Sequence, residues 1–333
     1  MNFPRLELTQ CQTQVINGEE LLKPEKAYQN TSWLSSKGAK PLRVLSELIE
    51  TEERLVAANV TSTILFFGSA RSKFSDAHAA QSSREDLSEG QRRSLQKTKW
   101  MSAVMEDVCL LSKRLTEWSM SRIEQNCEAY TVCTGGGPGF MEAANKGASQ
   151  VANSINIGMG ISLPFETGLN PYCTPELSFE FQYFFTRKYC MVYNCRAFIA
   201  VPGGFGTFDE LFEVLTLLQN EKIEHGDTLP VVLFGKDFWK RTIDFQGMEE
   251  LGVISKSDID RLFITDSVED AFNYITNKLS SYESAKNAAT LAKKMSEKES
   301  YARASEQFRE HSNKLREVQR SRQAEIKSKL EES

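Results

Sequence analysis

Two glycine clusters constrain this chain more than any other feature, because each follows a short apolar run and opens onto a stretch of helical periodicity. The first is Gly135-Gly136-Gly137-Pro138-Gly139, after residues 129–134, and the second is Pro202-Gly203-Gly204-Phe205-Gly206-Thr207, after residues 197–201. A strand that turns through glycine directly into a helix is the repeating unit of a parallel sheet. The surrounding pattern agrees. Ile64-Leu65-Phe66-Phe67 is a continuous apolar run ending at Gly68-Ser69, which suits a strand buried on both faces. Further strands are expected at 155–163, 229–234 and 262–265. Helices are expected over 43–59, 101–118, from the first glycine turn to about 151, over 183–194 and 207–219, near Phe238, and over 268–279. The alternation predicts an α/β, Rossmann-like fold: a parallel sheet with helices on both faces.

Three segments fall outside that alternation. Residues 1–44 are polar and read as an N-terminal arm, punctuated by Pro41. Residues 73–99 are rich in Ser, Gln, Glu and Arg and read as a polar insertion, helical in part, within a Rossmann-like domain spanning 45–280. Residues 281–333 are dominated by Lys, Glu, Ser and Arg, with apolar residues too sparse for a heptad seam. They read as a charged tail, helical or disordered. The formal net charge of −5 gives no general attraction to nucleic acid or to an anionic membrane. No apolar run approaches the roughly 20 residues that span a bilayer, and the N-terminal residues lack the apolar core of a signal peptide. The seven cysteines form no C-x-x-C pair. Free thiols in a cytoplasmic, reducing setting are therefore expected. The three histidines, His78, His225 and His311, form no H-x-x-x-H pair, so no metal site is expected.

At the carboxyl ends of parallel strands, glycine lets a backbone approach an anion, and the next helix presents unpaired N–H groups and the positive end of its dipole. Gly136 and Gly137 of the first turn, and Gly203, Gly204, Phe205, Gly206 and Thr207 of the second, thus form a candidate phosphate cradle. Either turn alone would read first as a tight connection without a ligand. Two in one sheet favour a phosphorylated ligand. Neither matches G-x-G-x-x-G or carries G-K-[ST], so a monophosphate is the simpler inference than a dinucleotide or triphosphate.

The segment Pro202 to Glu210 matches P-G-G-x-G-T-x-x-E, Arg187-Lys188-Tyr189-Cys190-Met191 matches R-K-x-x-M, and Phe67-Gly68-Ser69-Ala70-Arg71 matches F-G-S-[SA]-R. Together with 135–148 and 163–172, these motifs make residues 60–280 resemble the LOG, or lysine-decarboxylase-like, family. Departures are the 73–99 insertion, Asp209 where the family often has Glu, and the charged tail. The resemblance implies a phosphoribohydrolase, which uses water to split a nucleoside 5′-monophosphate, AMP-like or a cytokinin riboside monophosphate, into free base and ribose 5-phosphate. It also implies a homodimer or larger homo-oligomer and no cofactor. No pyridoxal-phosphate constellation supports the older decarboxylase label.

Cleavage of an N-glycosidic bond builds positive charge on the ribose, as in glycoside hydrolysis. Glu210, in the first turn after the cradle, is the candidate to stabilise that charge or activate water. Arg187 is the candidate to hold phosphate or ribose. By resemblance, Lys188, Glu166, Thr216, Ser69 and Arg71 join the substrate-binding set. Residue type alone leaves other readings open: Arg187 and Glu210 as a structural salt bridge, Lys188 as a surface charge, Glu166 as a loop cap. Of the aromatic residues Phe179, Phe181, Tyr183, Phe184 and Phe185, core and dimer packing are expected. The rival from another class is a nucleotide or molybdenum-cofactor carrier, which shares a P-G-G-x-G-T-like turn but for which an R-K-x-x-M helix is not expected.

Overall fold

The computed structural model describes residues 12–16, 19–125, 127–163, 168–223 and 229–282. The chain divides into two units, residues 1–279 and residues 280–333. The second is described only at 280–282, so the charged tail beyond 282 lies outside the described residues, as do Glu166 and His225.

The N-terminal region opens with an antiparallel pair, β1 (Gln12–Ile16) and β2 (Glu19–Lys23). A short helix α1 (Thr31–Leu34) and the long α2 (Lys40–Ala57) follow. Part of the expected arm is thus folded. Pro41 stands inside the first turn of α2 rather than before it, a position where its missing N–H costs no hydrogen bond. Next come β3 (Thr63–Phe67), α3 (Ser75–Ser82), α4 (Glu89–Thr98), α5 (Met101–Glu124) and β4 (Thr131–Thr134). They are followed by α6 (Phe140–Ser149), β5 (Asn156–Ile161), β6 (Ser178–Phe181), α7 (Phe184–Tyr193) and β7 (Cys195–Ala200). The unit is completed by α8 (Phe205–Gln219), β8 (Val231–Phe234), α9 (Lys236–Thr242), α10 (Phe245–Glu250), α11 (Lys256–Asp260), β9 (Leu262–Thr265) and a last helix, α12, over 268–279.

Seven strands form one sheet in the order β6-β5-β4-β3-β7-β8-β9. Every neighbouring pair is parallel. The chain builds outward from β3 to β6, then returns to lay β7 on the other side of β3. The β3/β7 junction is therefore the topological switch point, where open α/β sheets bind ligands. Side chains alternate across the sheet with period two. On β3, Leu65 and Phe67 enter one apolar cluster with Leu55 of α2, Met191 of α7 and Leu211 and Val214 of α8. Ile64 and Phe66 enter the other, with Val108 and Leu111 of α5, Ala144 of α6 and Ile275 of α12. The sheet is covered on both faces, as expected for a Rossmann-like fold.

The polar insertion folds as α3 and α4. Ser88 caps α4 by a reciprocal pair, its Oγ accepting from Gln91 N–H at 3.3 Å while Gln91 Oε1 accepts from Ser88 N–H at 2.8 Å. His78 Nε2 lies 2.9 Å from Leu95 O and ties the two helices together. Beyond the expectation are β6 and the short helices α10 and α11. In β6, Phe179 and Phe181 are buried while Glu180 between them is exposed. Phe184 and Phe185, from the same aromatic group, are exposed on α7.

Candidate active site

The loops after β3, β4 and β7 meet at the switch point. Ser69 N–H donates to Pro202 O at 3.0 Å, and Phe140 N–H donates to Ser69 O at 3.1 Å. These bonds draw the F-G-S-A-R segment between the two glycine turns. Above them opens a cavity of about 840 Å³, whose wall includes Ser69, Arg71, Gly137, Arg187 and residues 203–207.

The second glycine turn becomes the N-terminus of α8. Gly204 is its cap, with no side-chain hydrogen bond. Thr207 and Phe208 N–H both donate back to Gly204 O, at 3.0 and 3.1 Å. The preceding N–H groups of Phe205 and Gly206 then have no carbonyl within the helix to receive them. Gly203 is required by close approach: a Cβ there would lie 2.0 Å from Thr207 Oγ1. Phe205 is 96% exposed at the rim of the cavity. A 15-residue helix that starts this way, its end open to a cavity, is suited to receive an anion.

Arg187, on α7, is only 7% exposed yet contributes to the cavity wall. Its Nε donates to Met159 O at 2.7 Å, and its guanidinium carbon lies 5.6 Å from the centre of the Phe67 ring. Glu210 lies one turn into α8, on the same side as Thr207 by the i, i+3 relation. It is 3% exposed, and its Oε2 has no hydrogen-bond partner among the described residues. Burial pushes the Glu210 carboxyl up to about 7, against the opposing pull of Arg187 and Lys188. Glu210 is not itself part of the cavity wall. It is a nearly enclosed acid whose charge is felt by the arginine that does line it.

The remaining sequence candidates divide. Ser69, Arg71, Gly137, Gly203, Gly204, Phe205, Gly206 and Thr207 come together around the cavity. Gly136 sits just behind its wall, its N–H donating to Thr134 Oγ1 at 2.9 Å. Lys188 turns away. Its Nζ lies 2.9 Å from Asp209 and 3.5 Å from Glu213, and it borders a separate groove of about 880 Å³. Burial works against the Lys188 ammonium, but Asp209, Glu210 and Glu213 hold its pKa above the usual lysine value. Thr216 is exposed and borders a third, small cavity beside Phe245 and Arg261.

Sequence reasoning did not find the residues that fix the first glycine loop. Asn170 Nδ2 donates to Gly136 O at 3.0 Å, Gly137 O at 3.1 Å and Asn145 Oδ1 at 2.9 Å. Asn145 Nδ2 donates to Asn156 Oδ1 at 2.8 Å, and Thr134 Oγ1 donates to Asn145 Oδ1 at 2.7 Å. The available signal was an asparagine on the otherwise apolar face of α6, which must find partners when buried. Among the described residues, no group of three or more His, Cys, Asp or Glu is placed to hold a metal ion, and no helix is long and apolar enough to cross a membrane.

An α/β domain with two glycine turns and an open helix start meeting at its switch point has the form of a ligand-binding α/β domain. The family model described as "Possible lysine decarboxylase" matches residues 141–275. That span contains the R-K-x-x-M helix and the P-G-G-x-G-T-x-x-E turn, and the match is consistent with the resemblance to the LOG family. Comparison with curated proteins gives no match.

Proposed function

We propose that the protein is a phosphoribohydrolase that cleaves the N-glycosidic bond of nucleoside 5′-monophosphates, releasing base and ribose 5-phosphate. The observation that carries this reading is the start of α8, where an open helix N-terminus at the cavity is followed one turn later by a buried, unpartnered carboxylate electrostatically linked to Arg187. In this reading the 5′-phosphate sits on residues 203–207, with Ser69 and Arg71 beside it. Arg187 offsets its charge and orients the ribose. Glu210 stabilises the oxocarbenium-like state or takes a proton from water, tasks served by a carboxyl that titrates near neutrality. Glu166 is retained as a ribose contact by resemblance alone.

The chain is further proposed to act as a homodimer or larger homo-oligomer. Supporting this, α7 forms an exposed aromatic ridge of Phe185, Tyr189 and Tyr193 between two grooves, one shared with α2 and one with α8. Phe184 borders both the α8 groove and the glycine cavity, so a second copy seated there would adjoin the site.

The test is incubation of purified protein with a panel of nucleoside monophosphates, assayed for ribose 5-phosphate and free base. Turnover by the wild type, reduced about 10²- to 10⁴-fold in Glu210→Gln, is the expected result. The carrier reading draws on the absence of Glu210 from the cavity wall. Stoichiometric nucleotide binding without base release would favour it.

A further inference from the structure

We infer that Trp100, delivered by the polar insertion, is the platform on which the substrate's base stacks, so that the insertion sets base recognition. This rests on the reading of the glycine cavity as a nucleotide site and deepens it. The end of α4 and the start of α5 enter the cavity wall through Thr98, Trp100 and Met101. Trp100 is 49% exposed, although it sits between helices and directly precedes the buried Met101. Its indole is held rather than loose. Phe238 of α9 stacks against it with centroids 6.3 Å apart and planes inclined by 23°. Phe238 in turn packs on Phe208 of α8 at 6.3 Å and edge-on to the fully buried Trp239 at 5.0 Å. This row of rings fastens one face of the indole to the α8 framework that carries the phosphate cradle. Phe208 and Phe238 also border the cavity.

An aromatic ring backed on one face and half-open in a cavity wall is suited to a flat π-surface, and every nucleobase offers one. The polar groups of the same cavity, Arg187 and the start of α8, are suited to the sugar phosphate instead. The cavity therefore offers two chemistries to the two ends of one ligand: amides and a guanidinium for ribose phosphate, and an aromatic wall for the base. The base is the leaving group, so stacking contributes mainly to binding. Its loss raises KM more than it lowers kcat.

The experiment follows tryptophan fluorescence during titration with AMP, adenosine and ribose 5-phosphate, and measures base release in parallel. AMP and adenosine are expected to quench the wild type, and ribose 5-phosphate to leave it unchanged. Trp100→Phe should abolish that quench while keeping near-normal KM. Trp100→Leu should raise KM for AMP by about tenfold, within the range that base–aromatic stacking accounts for. Retention of the Trp100→Phe KM guards against mere misfolding. A Trp100-dependent quench without base release would leave the stacking site standing and remove the hydrolase reading. Base release with an unchanged KM in Trp100→Leu would do the opposite. Equal quenching by ribose 5-phosphate, or no quenching by any ligand, overturns the inference.

Discussion

The guanidinium of Arg187 is seated directly against Gly135, where a Cβ would stand 2.4 Å from Arg187 Nη2. The first glycine turn therefore shapes the floor on which the arginine rests. Arg187 cannot easily yield, because its Nε is committed to Met159 O at 2.7 Å and the side chain is buried. Gly135→Ala is expected to displace the guanidinium and lower base release by an order of magnitude or more, while the fold persists. Activity and circular dichroism measured together check this. Arg187→Ala should be more severe in both respects. It removes the cation with the largest opposing pull on the buried Glu210 carboxyl, so that carboxyl's pKa should rise further.

Glu210 links stability to pH in a direction opposite to that of most carboxylates. Burial raises its pKa from 4.5 to about 7 in the folded protein. Between those values the folded state holds a proton that the unfolded state has lost. The stabilisation is complete below about 4.5 and disappears as pH rises through about 7. Integrated over the window, the difference is roughly 3 kcal/mol at 1.36 kcal/mol per unit. Glu210→Gln is neutral throughout, so its denaturant midpoint should lack this decline and exceed the wild type at pH 8. If the ionised carboxylate is the working form, wild-type kcat/KM should rise with pH through an inflection near 7. A wild-type and Gln pair with parallel stability curves from pH 4.5 to 8 would contradict the assignment.

What the sequence disclosed follows from how each feature is encoded. The central strands were legible because most of β3 and β7 is buried on both faces and reads as apolar runs, at 64–67 and 197–200. The second glycine turn was legible because a strand that turns directly into a helix start draws on adjacent glycines, a local pattern. Strand β6 was not legible. It is four residues at the sheet edge, with aromatic spacing that suited core and interface equally. The direction taken by Lys188 was also hidden. Adjacent positions on a helix point about 100° apart, so Arg187 and Lys188 border different cavities although the motif joins them. Asn170 and Asn145 meet across 25 residues, and Trp100 reaches Phe238 across a longer interval. Such pairings exist only once the sheet has assembled.

The asparagine network gives a prediction that separates support from chemistry. Asn145 is fully buried and sits between Thr134, Asn156 and Asn170. Replacing it by alanine orphans several enclosed polar groups, at about 1–3 kcal/mol each. Asn145→Ala should therefore lower the melting temperature markedly. Asn170→Ala frees the carbonyl of Gly137 at the cavity margin and leaves Gly136 O only the backbone N–H of residue 170, at 2.7 Å. It should loosen the loop, raising KM with a smaller loss of stability. Calorimetry and steady-state kinetics on the two variants test the ordering. A larger melting-temperature loss in Asn170→Ala than in Asn145→Ala would count against it.

The aromatic ridge of α7 supplies the last prediction. Tyr193 is 65% exposed and stacks on Tyr189 at 5.3 Å, and both border the grooves on either side of the helix. Exposed apolar surface of this kind, continuous with Val56 and Ile49 of α2, is characteristic of an interface. In a two-fold dimer each change acts twice, because one patch meets its own copy. Tyr193→Glu would bring two like charges into that contact, and sedimentation should show the variant as a monomer where the wild type is a dimer or larger. Tyr193 borders neither the glycine cavity nor Glu210. Loss of base release in the monomeric variant, with nucleotide binding retained, would therefore locate the effect in the missing copy. A monomeric wild type with full turnover would separate oligomerisation from catalysis and leave the ridge without this role.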